Sequence, residues 1–559
     1  MRSAFVGLLA FVTPFAPAAG GEPASVIGHW PLAHDARDVS GHGRHAVHRG
    51  VRFEPADPDA RSRSAARFDG RSASVDVPPD LAPELGARPF TIAAWIRLDD
   101  SGTDVPGCVV SQWDAGRRTG FQFGINHHAG VTTNQSNSRH VHFGIDQASP
   151  PPEWTNHGRL GDANLVFALA VHDGQLYAGT CEPRADGAGH VYRFEGGARW
   201  TDCGSPDRCN SVSALAVHDG QLYAGVARYR LAGSALPESE NPHPGGAVYR
   251  YDGPSRWTDC GRPPGVDAIG GLAVFGNRLY ASSLYRPAGF HRYVGGTEWE
   301  SLQTPGGKRV EAMAVHNGEL FASSYDLGHV FRFDGDRWFD CGQVGPEENT
   351  QTYSFAVHEG KLHVGTWRSG RVYRYEADDN WVDTGRLGNE LEVMGMLVHN
   401  GVLYAGSLPL AEVYRYERGA GWIHSGRLDT TPDVVYRRAW TMAEYQGRLF
   451  CGTLPSGHVH SMQSGRCVTS DRPLDGGWHQ IVGARTVDRL RLFIDGRLAA
   501  ESESFDGASF DLNSGAPWTI GSGATDSFFG SICDVRLYDG ELDADAVAAL
   551  YRETALDIR

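Results

Sequence analysis

Arg228, Tyr285, Tyr325, Asp326, Trp367 and Arg368 stand at one point of a repeat whose other positions are nearly constant. Guanidinium forks make two-pronged contacts with oxygen acceptors, and aromatic faces cover the C–H faces of a sugar or the side chains of a peptide. This set reads as a recognition surface for a glycan or an extracellular protein. Glu311, Tyr353 and Trp440 enter their strands from the same side of the repeat and are expected to join it. Glu311 and Asp326 are the carboxyls that an acid–base pair would use, because carboxylates from separate elements can converge without a linear motif. No G-x-S-x-G elbow, H-E-x-x-H pair or P-loop occurs in the chain.

The repeat itself must position these residues. Its clearest copies read A-L-A-V-H-D-G-Q-L-Y-A-G, from Ala168 and again from Ala214, with weaker copies from Gly271, Ala312, Ser354, Gly395 and Thr441. Each copy is a strand, a Gly-bearing turn and a second strand. A third strand follows, such as Val191-Tyr192-Arg193-Phe194, and a fourth begins at Trp200, Trp257, Trp299, Trp338, Trp381 or Trp422. That spacing is one four-stranded blade, so seven copies predict a seven-bladed β-propeller over residues 153–464. The seventh copy has no Trp-bearing fourth strand after it. The stretch from Trp154 to Leu160, W-T-N-H-G-R-L, matches W-V-D-T-G-R-L at Trp381, so this N-terminal strand should close the ring.

Residues kept in every blade usually serve the fold. His172, His218, His316, His358 and His399 are therefore expected to bond turn backbone rather than ring a metal, and the third-strand arginines to meet an Asp such as Asp202 or Asp259. Blades two to five break the pattern in the loop after the second strand, while blades six and seven present Leu-Pro there. The blade-two loop, 226–247, is long and rich in Pro, Ser and Glu. Loops on a rigid scaffold are the usual seat of binding.

The flanks, 24–150 and 465–559, alternate with period two between Gly, Asp and Pro clusters, and so read as antiparallel sheets with one buried face each. A short helix with Asp543 as N-cap closes the chain. The pieces D-x-S-G-x-G from Asp38, F-D-G from Phe68, F-T-x-x-x-W from Phe90, G-W-H from Gly477, F-I-D-G from Phe493 and D-V-R-L-Y from Asp534 fall in this order. Together they resemble a laminin-G-like, concanavalin A-type jelly roll, split by the propeller. One departure is Cys533, where many members carry a second Asp. The propeller is similar to kelch-like rings in layout only. The resemblance implies a calcium site in the jelly roll at Asp38 and Asp534, although the same Asp and Gly also make a tight turn without metal. No other cofactor is expected. The carboxylate triplet of glucanases with this fold and the Asp box of sialidase propellers are both absent.

A net charge of -16 argues against nucleic acid or an anionic membrane as partner. Arg2, the apolar run 4–12 and Ala16-Pro17-Ala18 read as a signal peptide within 1–20, which predicts a secreted or periplasmic protein. No other run is long and apolar enough for a membrane span. Nine cysteines fit an oxidising compartment, and Cys181 with Cys209 is the expected disulfide. The first expectation is thus an all-β, secreted binding protein that takes glycan or protein through jelly roll or propeller mouth. An extracellular polysaccharide hydrolase or lyase and a structural or adhesive surface module are the alternatives.

Overall fold

The computed structural model describes residues 24–56, 64–150 and 152–555; the expected signal peptide lies outside them. The chain is all-β: an antiparallel sandwich interrupted by a seven-bladed propeller. One sandwich sheet runs Arg52–Pro55, Ser64–Asp69, Phe529–Asp539, Phe90–Leu98, Trp478–Arg485, Leu490–Ile494, Arg497–Glu501, with Ser25–Trp30 also on Phe529–Asp539. The other runs Val47–Arg49, Ser74–Val77, Trp518–Ile520, Gly107–Asp114, Thr119–His128, Asn137–Gln147, Arg466–Pro473. Both sheets therefore interleave strands from the two flanks. Their facing sides fill one core in which Trp30 stacks on Trp518 at 5.7 Å, joining residues from opposite ends of the chain. Asp495 and Gly496, at φ 50° and 73°, form the two-residue turn that the F-I-D-G piece requires. The closing helix is Ala544–Ala555, and the Asp543 carboxylate accepts from the Ala546 N–H at 2.8 Å.

Each of the seven blades has four strands, and the seventh takes its outermost strand, Thr155–Arg159, from before blade one, paired antiparallel with His458–Met462. The recurring tryptophans join neighbouring blades. The indole N–H donates to a fourth-strand group of the preceding blade or the turn after it: Trp200 to the His157 carbonyl at 3.0 Å, Trp257 to Cys203 at 3.0 Å, Trp299 to Cys260 at 2.8 Å, Trp338 to Gln303 at 2.9 Å and Trp381 to Cys341 at 2.8 Å. Trp422 reaches the Thr384 hydroxyl at 3.4 Å, and Trp154 completes the circuit on the Ser425 carbonyl at 3.0 Å. The third-strand arginines depart from expectation. Arg193, Arg250, Arg374 and Arg415 pair with Glu195, Asp252, Glu376 and Glu417, two residues on, because period two puts these acids on the same strand face. Asp202 instead binds His190 at 2.9 Å, and Asp259 accepts from the Gly261 N–H.

The hairpin-turn face of the propeller sits on the sandwich. Residues 129–136, which link two sandwich strands, are pushed into the propeller axis, and Val131 to Ser136 are all buried. The Thr132 carbonyl accepts from Leu272 N–H, and Asn134 N–H donates back to the Leu272 carbonyl. The Asn134 side chain brackets Val274, Gln135 accepts from Val217 N–H, and the Ser136 carbonyl accepts from Val171 N–H. Beside this plug, the buried Glu444 carboxylate holds His399 at 2.8 Å and His142 of the sandwich at 3.1 Å, and also accepts from the Asn126 amide. Burial alone would raise the Glu444 carboxyl, but the two imidazoles hold it well below the usual range. The marker histidines are therefore not all turn-bonding scaffold: His399 is part of the seam, because the turn face it sits on is covered.

The indole circuit is testable by denaturant titration. Trp257→Phe keeps an aromatic ring but removes the N–H, and should lower the unfolding free energy by about 1–2 kcal/mol. Trp154→Phe should cost a similar amount. A loss at Trp257 with none at Trp154 would remove the last bond from the circuit.

Candidate functional site

With the plug closing one end, the other end of the propeller axis, on the face away from the sandwich, is a well lined by a buried cluster that includes Val131 of the plug, Phe167, Met394 and Trp440. Innermost strands enter it from that face, and period two turns every second residue inward. On blades four to seven, one inward level is Glu311, Tyr353, Met394 and Trp440, and the level two residues earlier is Arg309, Gln351, Glu392 and Arg438. The matching positions on blades one to three are Phe167, Ser213 and Gly270, and Leu165, Ser211 and Ala268. One side of the well is thus polar and aromatic, the other small and apolar.

The small side is covered by the blade-two loop. Tyr229 packs edge-on against Phe167 with ring centroids 4.8 Å apart, and its backbone is held at both ends by the Asn210 amide. A 3-10 turn, Leu231–Ser234, follows, and the Glu238 carboxylate accepts from the Leu231 and Ala232 N–H groups at its start. Ser234 is buried, accepts from Arg438 of blade seven at 2.5 Å and bonds the Tyr229 hydroxyl at 2.7 Å. The loop therefore spans the opening from blade two to blade seven.

Below and beside it lie two buried carboxyls. Glu311 and Glu392 are 1% and 2% exposed, and one oxygen of each has no hydrogen-bond partner. Burial pushes the Glu311 carboxyl well above its ordinary range, against the pull of Arg309 and the Tyr325 hydroxyl. Burial raises Glu392 to about 7, opposed by Arg438 and by the Tyr353 hydroxyl. Arg438, also buried, lies 5.5 Å from the Trp440 ring and 5.9 Å from Tyr436. The Trp440 indole is tied to the Phe167 carbonyl at 2.9 Å. Tyr325 meets Tyr353 at 4.9 Å, and Trp367 meets Tyr436 edge-on at 6.3 Å. Tyr325, Trp367 and Tyr436 are only partly buried. The result is a partly buried aromatic rim beside two carboxyls that burial raises, Glu392 to about 7, which is the composition of a site for a polar ligand.

Of the residues expected from sequence, Tyr285, Tyr325, Tyr353, Trp367 and Trp440 share one cluster around the well. Glu311 lies among them, since both the Tyr325 hydroxyl and Arg309 act on its carboxyl. Tyr285 supports the blade-two loop. Its hydroxyl accepts from the Arg230 N–H at 2.8 Å and its ring lies 4.3 Å from the Arg230 guanidinium, which pins that loop in place. Asp326 is locked between Arg309 at 3.0 Å and Arg286 at 2.9 Å; burial would raise it, but these guanidiniums hold it low. Arg228 and Arg368 are exposed, the latter beside the Trp367 ring at 5.7 Å. Glu392, Arg438, Tyr436, Tyr229 and Ser234 were not anticipated. The first two stand two residues before the anticipated level, so strand alternation was the available signal.

The remaining expectations fall elsewhere. Cys181 and Cys209 are not joined: Cys181 belongs to the axial cluster, whereas Cys209 packs between blades one and two and directs its thiol at the Ser211 carbonyl. Burial raises both thiols, Cys209 to about 12. Asp38 is satisfied by the N–H groups of His29, Ser40 and Arg44, each at 2.9 Å. Asp534 pairs with His29 at 2.7 Å and Arg536 at 3.0 Å. Asp38 thus meets backbone N–H donors, and Asp534 an imidazole and a guanidinium.

A family model described as concanavalin A-like lectin/glucanases superfamily matches residues 429–548. Its first part falls on blade seven and the rest on the second half of the sandwich. None of the curated proteins matches the chain. Among solved structures, a streptogramin B lyase is 9% identical with a TM-score of 0.44, covering 56% of this chain and 99% of its own. The WD40 β-propeller domain of Doa1 is 12% identical with a TM-score of 0.40, covering 56% of this chain and 98% of its own. The extracellular domain of the one-component system BT4673 from B. thetaiotaomicron is 13% identical with a TM-score of 0.40, over 55% of this chain and 40% of its own. Among the described residues, no helix is long and apolar enough to cross a membrane.

Glu392 gives the well a pH signature. Its folded value of about 7 lies above the ordinary 4.5, so the folded chain keeps a proton there that the unfolded chain releases across that window. Stability linked to this group is complete below the lower value and is lost as pH rises through the upper one. In urea titrations from about pH 4.5 to 7.5, the stability of the parent minus that of Glu392→Gln should fall by on the order of 3 kcal/mol. A difference that stays constant with pH would remove Glu392 as a titrating group.

Proposed function

We propose that this is a secreted recognition protein that binds a glycan or glycoprotein at the mouth of the propeller well, with the lectin-like sandwich as its carrier and a second binding surface. The observation that carries the reading is the partly buried rim of Tyr325, Trp367 and Tyr436 beside the buried Glu311, Glu392 and Arg438. Rings of this kind stack on the C–H face of a sugar, and the acids and guanidinium below match hydroxyls that would otherwise lose hydrogen bonds on leaving water. The lectin/glucanase description of the matching family supports the same class of ligand. The exposed Arg228 and Arg368 extend the surface for acidic sugars or an acidic peptide.

A second reading is an extracellular polysaccharide hydrolase or lyase. It is favoured by one observation: Glu311 and Glu392 are both raised by burial, and a carboxyl near 7 is poised as a general acid or base.

A glycan array with the full chain, followed by titration of the strongest ligand, tests the first reading. Trp367→Ala and Tyr325→Ala should each weaken binding by about tenfold or more. Binding unchanged in both variants would remove the well mouth as the site. Release of new sugar ends from the bound glycan by the parent, lost in Glu392→Gln, would replace binding by catalysis.

A further inference from the structure

A second group of acids lies at the opposite end of the propeller, where blade four meets the sandwich. Asp104 follows the strand Phe90–Leu98, Asp526 lies in the loop before Phe529–Asp539, and His316 ends the first strand of blade four, Met313–His316. One ligand atom from each lies within 4.8 Å of the other two. His316 and Asp526 are 3% and 2% exposed, and His316 Nδ1 and Asp526 Oδ2 have no hydrogen-bond partner. These two atoms are 3.6 Å apart, too long for a hydrogen bond. That separation is close to the roughly 3.4 Å edge between two ligand atoms set tetrahedrally about 2.1 Å from one zinc ion.

The surrounding bonds aim the free atoms inward. Asp526 Oδ1 accepts from the Ser527 N–H at 2.7 Å, and Asp104 Oδ1 from the N–H groups of Val105 at 2.9 Å and Asn317 at 3.0 Å. His316 Nε2 meets the Asn317 side-chain amide at 2.9 Å. As placed, that amide donates its N–H to Nε2; turning the Asn317 amide over would put the proton on Nε2 and leave the Nδ1 lone pair free, the arrangement in which an imidazole binds a metal. We propose that Asp104, Asp526 and His316 hold one divalent cation of the zinc–manganese class, which ties the sandwich to blade four. The imidazole selects against calcium and magnesium, which take oxygen ligands, and the half-buried Asp104 edge leaves room for water to complete the shell. Burial and then the neighbouring Asp526 charge push the Asp104 carboxyl up to about 7, a repulsion that a cation would relieve. The other candidate group, His142, Glu444 and Cys467, differs because its imidazole and carboxylate are already paired.

The test uses the full chain, stripped with a chelator, incubated in turn with zinc, manganese or calcium chloride, gel-filtered and assayed for bound metal. About one equivalent of zinc or manganese should remain in the parent and in Cys467→Ser, with at least a tenfold loss in Asp526→Asn and His316→Gln. No ion retained by the parent, or loss confined to Cys467→Ser, overturns the proposal. Cobalt loading of the parent decides the matter even where a variant fails to fold. Visible d–d bands without a thiolate charge-transfer band support an oxygen–nitrogen site, whereas a thiolate band, or no cobalt spectrum, overturns it.

Discussion

Two antiparallel strand pairs hold the molecule together where the chain leaves the sandwich and where it returns. Ile145 lies opposite Arg466 in the sandwich, and Thr155 lies opposite Ser461 in blade seven. The outgoing and returning segments therefore run side by side through both folds. Without the first pair, the two flanks would lose an edge of their shared sheet. Without the second, blade seven would have three strands and an open seam against blade one. Bringing distant chain segments together costs entropy that grows only slowly with the length enclosed, so an entire ring can sit between adjacent residues of a sheet. The closing bond of the indole circuit, from Trp154 to Ser425, accompanies the second pair, and the stack of Trp30 on Trp518 joins the two flanks that the first pair brings together.

Much of this was written plainly in the repeat. Period-two strands, Asp-Gly and Asn-Gly turns and the recurring Trp specify blades locally, and the W-T-N-H-G-R-L stretch betrays which blade lacks a strand. The site was half legible. Glu311, Tyr353 and Trp440 follow from blade alignment, and one more step of alternation reaches Glu392 and Arg438. Tyr229 and Ser234 could not be reached in that way, since the direction of the blade-two loop depends on Asn210, at the entry to blade two, and on Arg438 of blade seven. The plug was hidden most completely. Gly130, Val131, Thr132, Thr133, Asn134, Gln135 and Ser136 look like an exposed turn, and only the backbone edges they meet in the axis make them interior. The cysteines show the same limit: Cys181 ends the strand Gln175–Cys181 in the axial cluster, while Cys209 lies in the bend before Ser211–His218 and packs in another.

Buried acids occur at both ends of the ring, and their surroundings separate two kinds of use. Glu444 at the seam is surrounded by imidazoles and amides, as expected of an ionised group kept for fixing how two bodies meet. Glu311 and Glu392 each keep an oxygen without a partner, and burial raises both. An incompletely matched polar group inside a fold costs stability, and such costs concentrate where a ligand supplies the missing partner. The contrast lies in the partners rather than in residue type, which explains why counting acids in the sequence does not distinguish them.

The plug also limits what can be recognised. A ring with an open axis can be threaded, so that a polymer is gripped anywhere along its length. Here the sandwich blocks the far end, and anything that enters must leave by the same door. If the ligand is the proposed glycan, a long chain would meet this end by a terminus or a side branch, with its remainder across the rim of Tyr325, Trp367 and Tyr436. For the glycan proposed as ligand, the way the two folds are joined would favour ends and branch points over the repeating interior of a polymer.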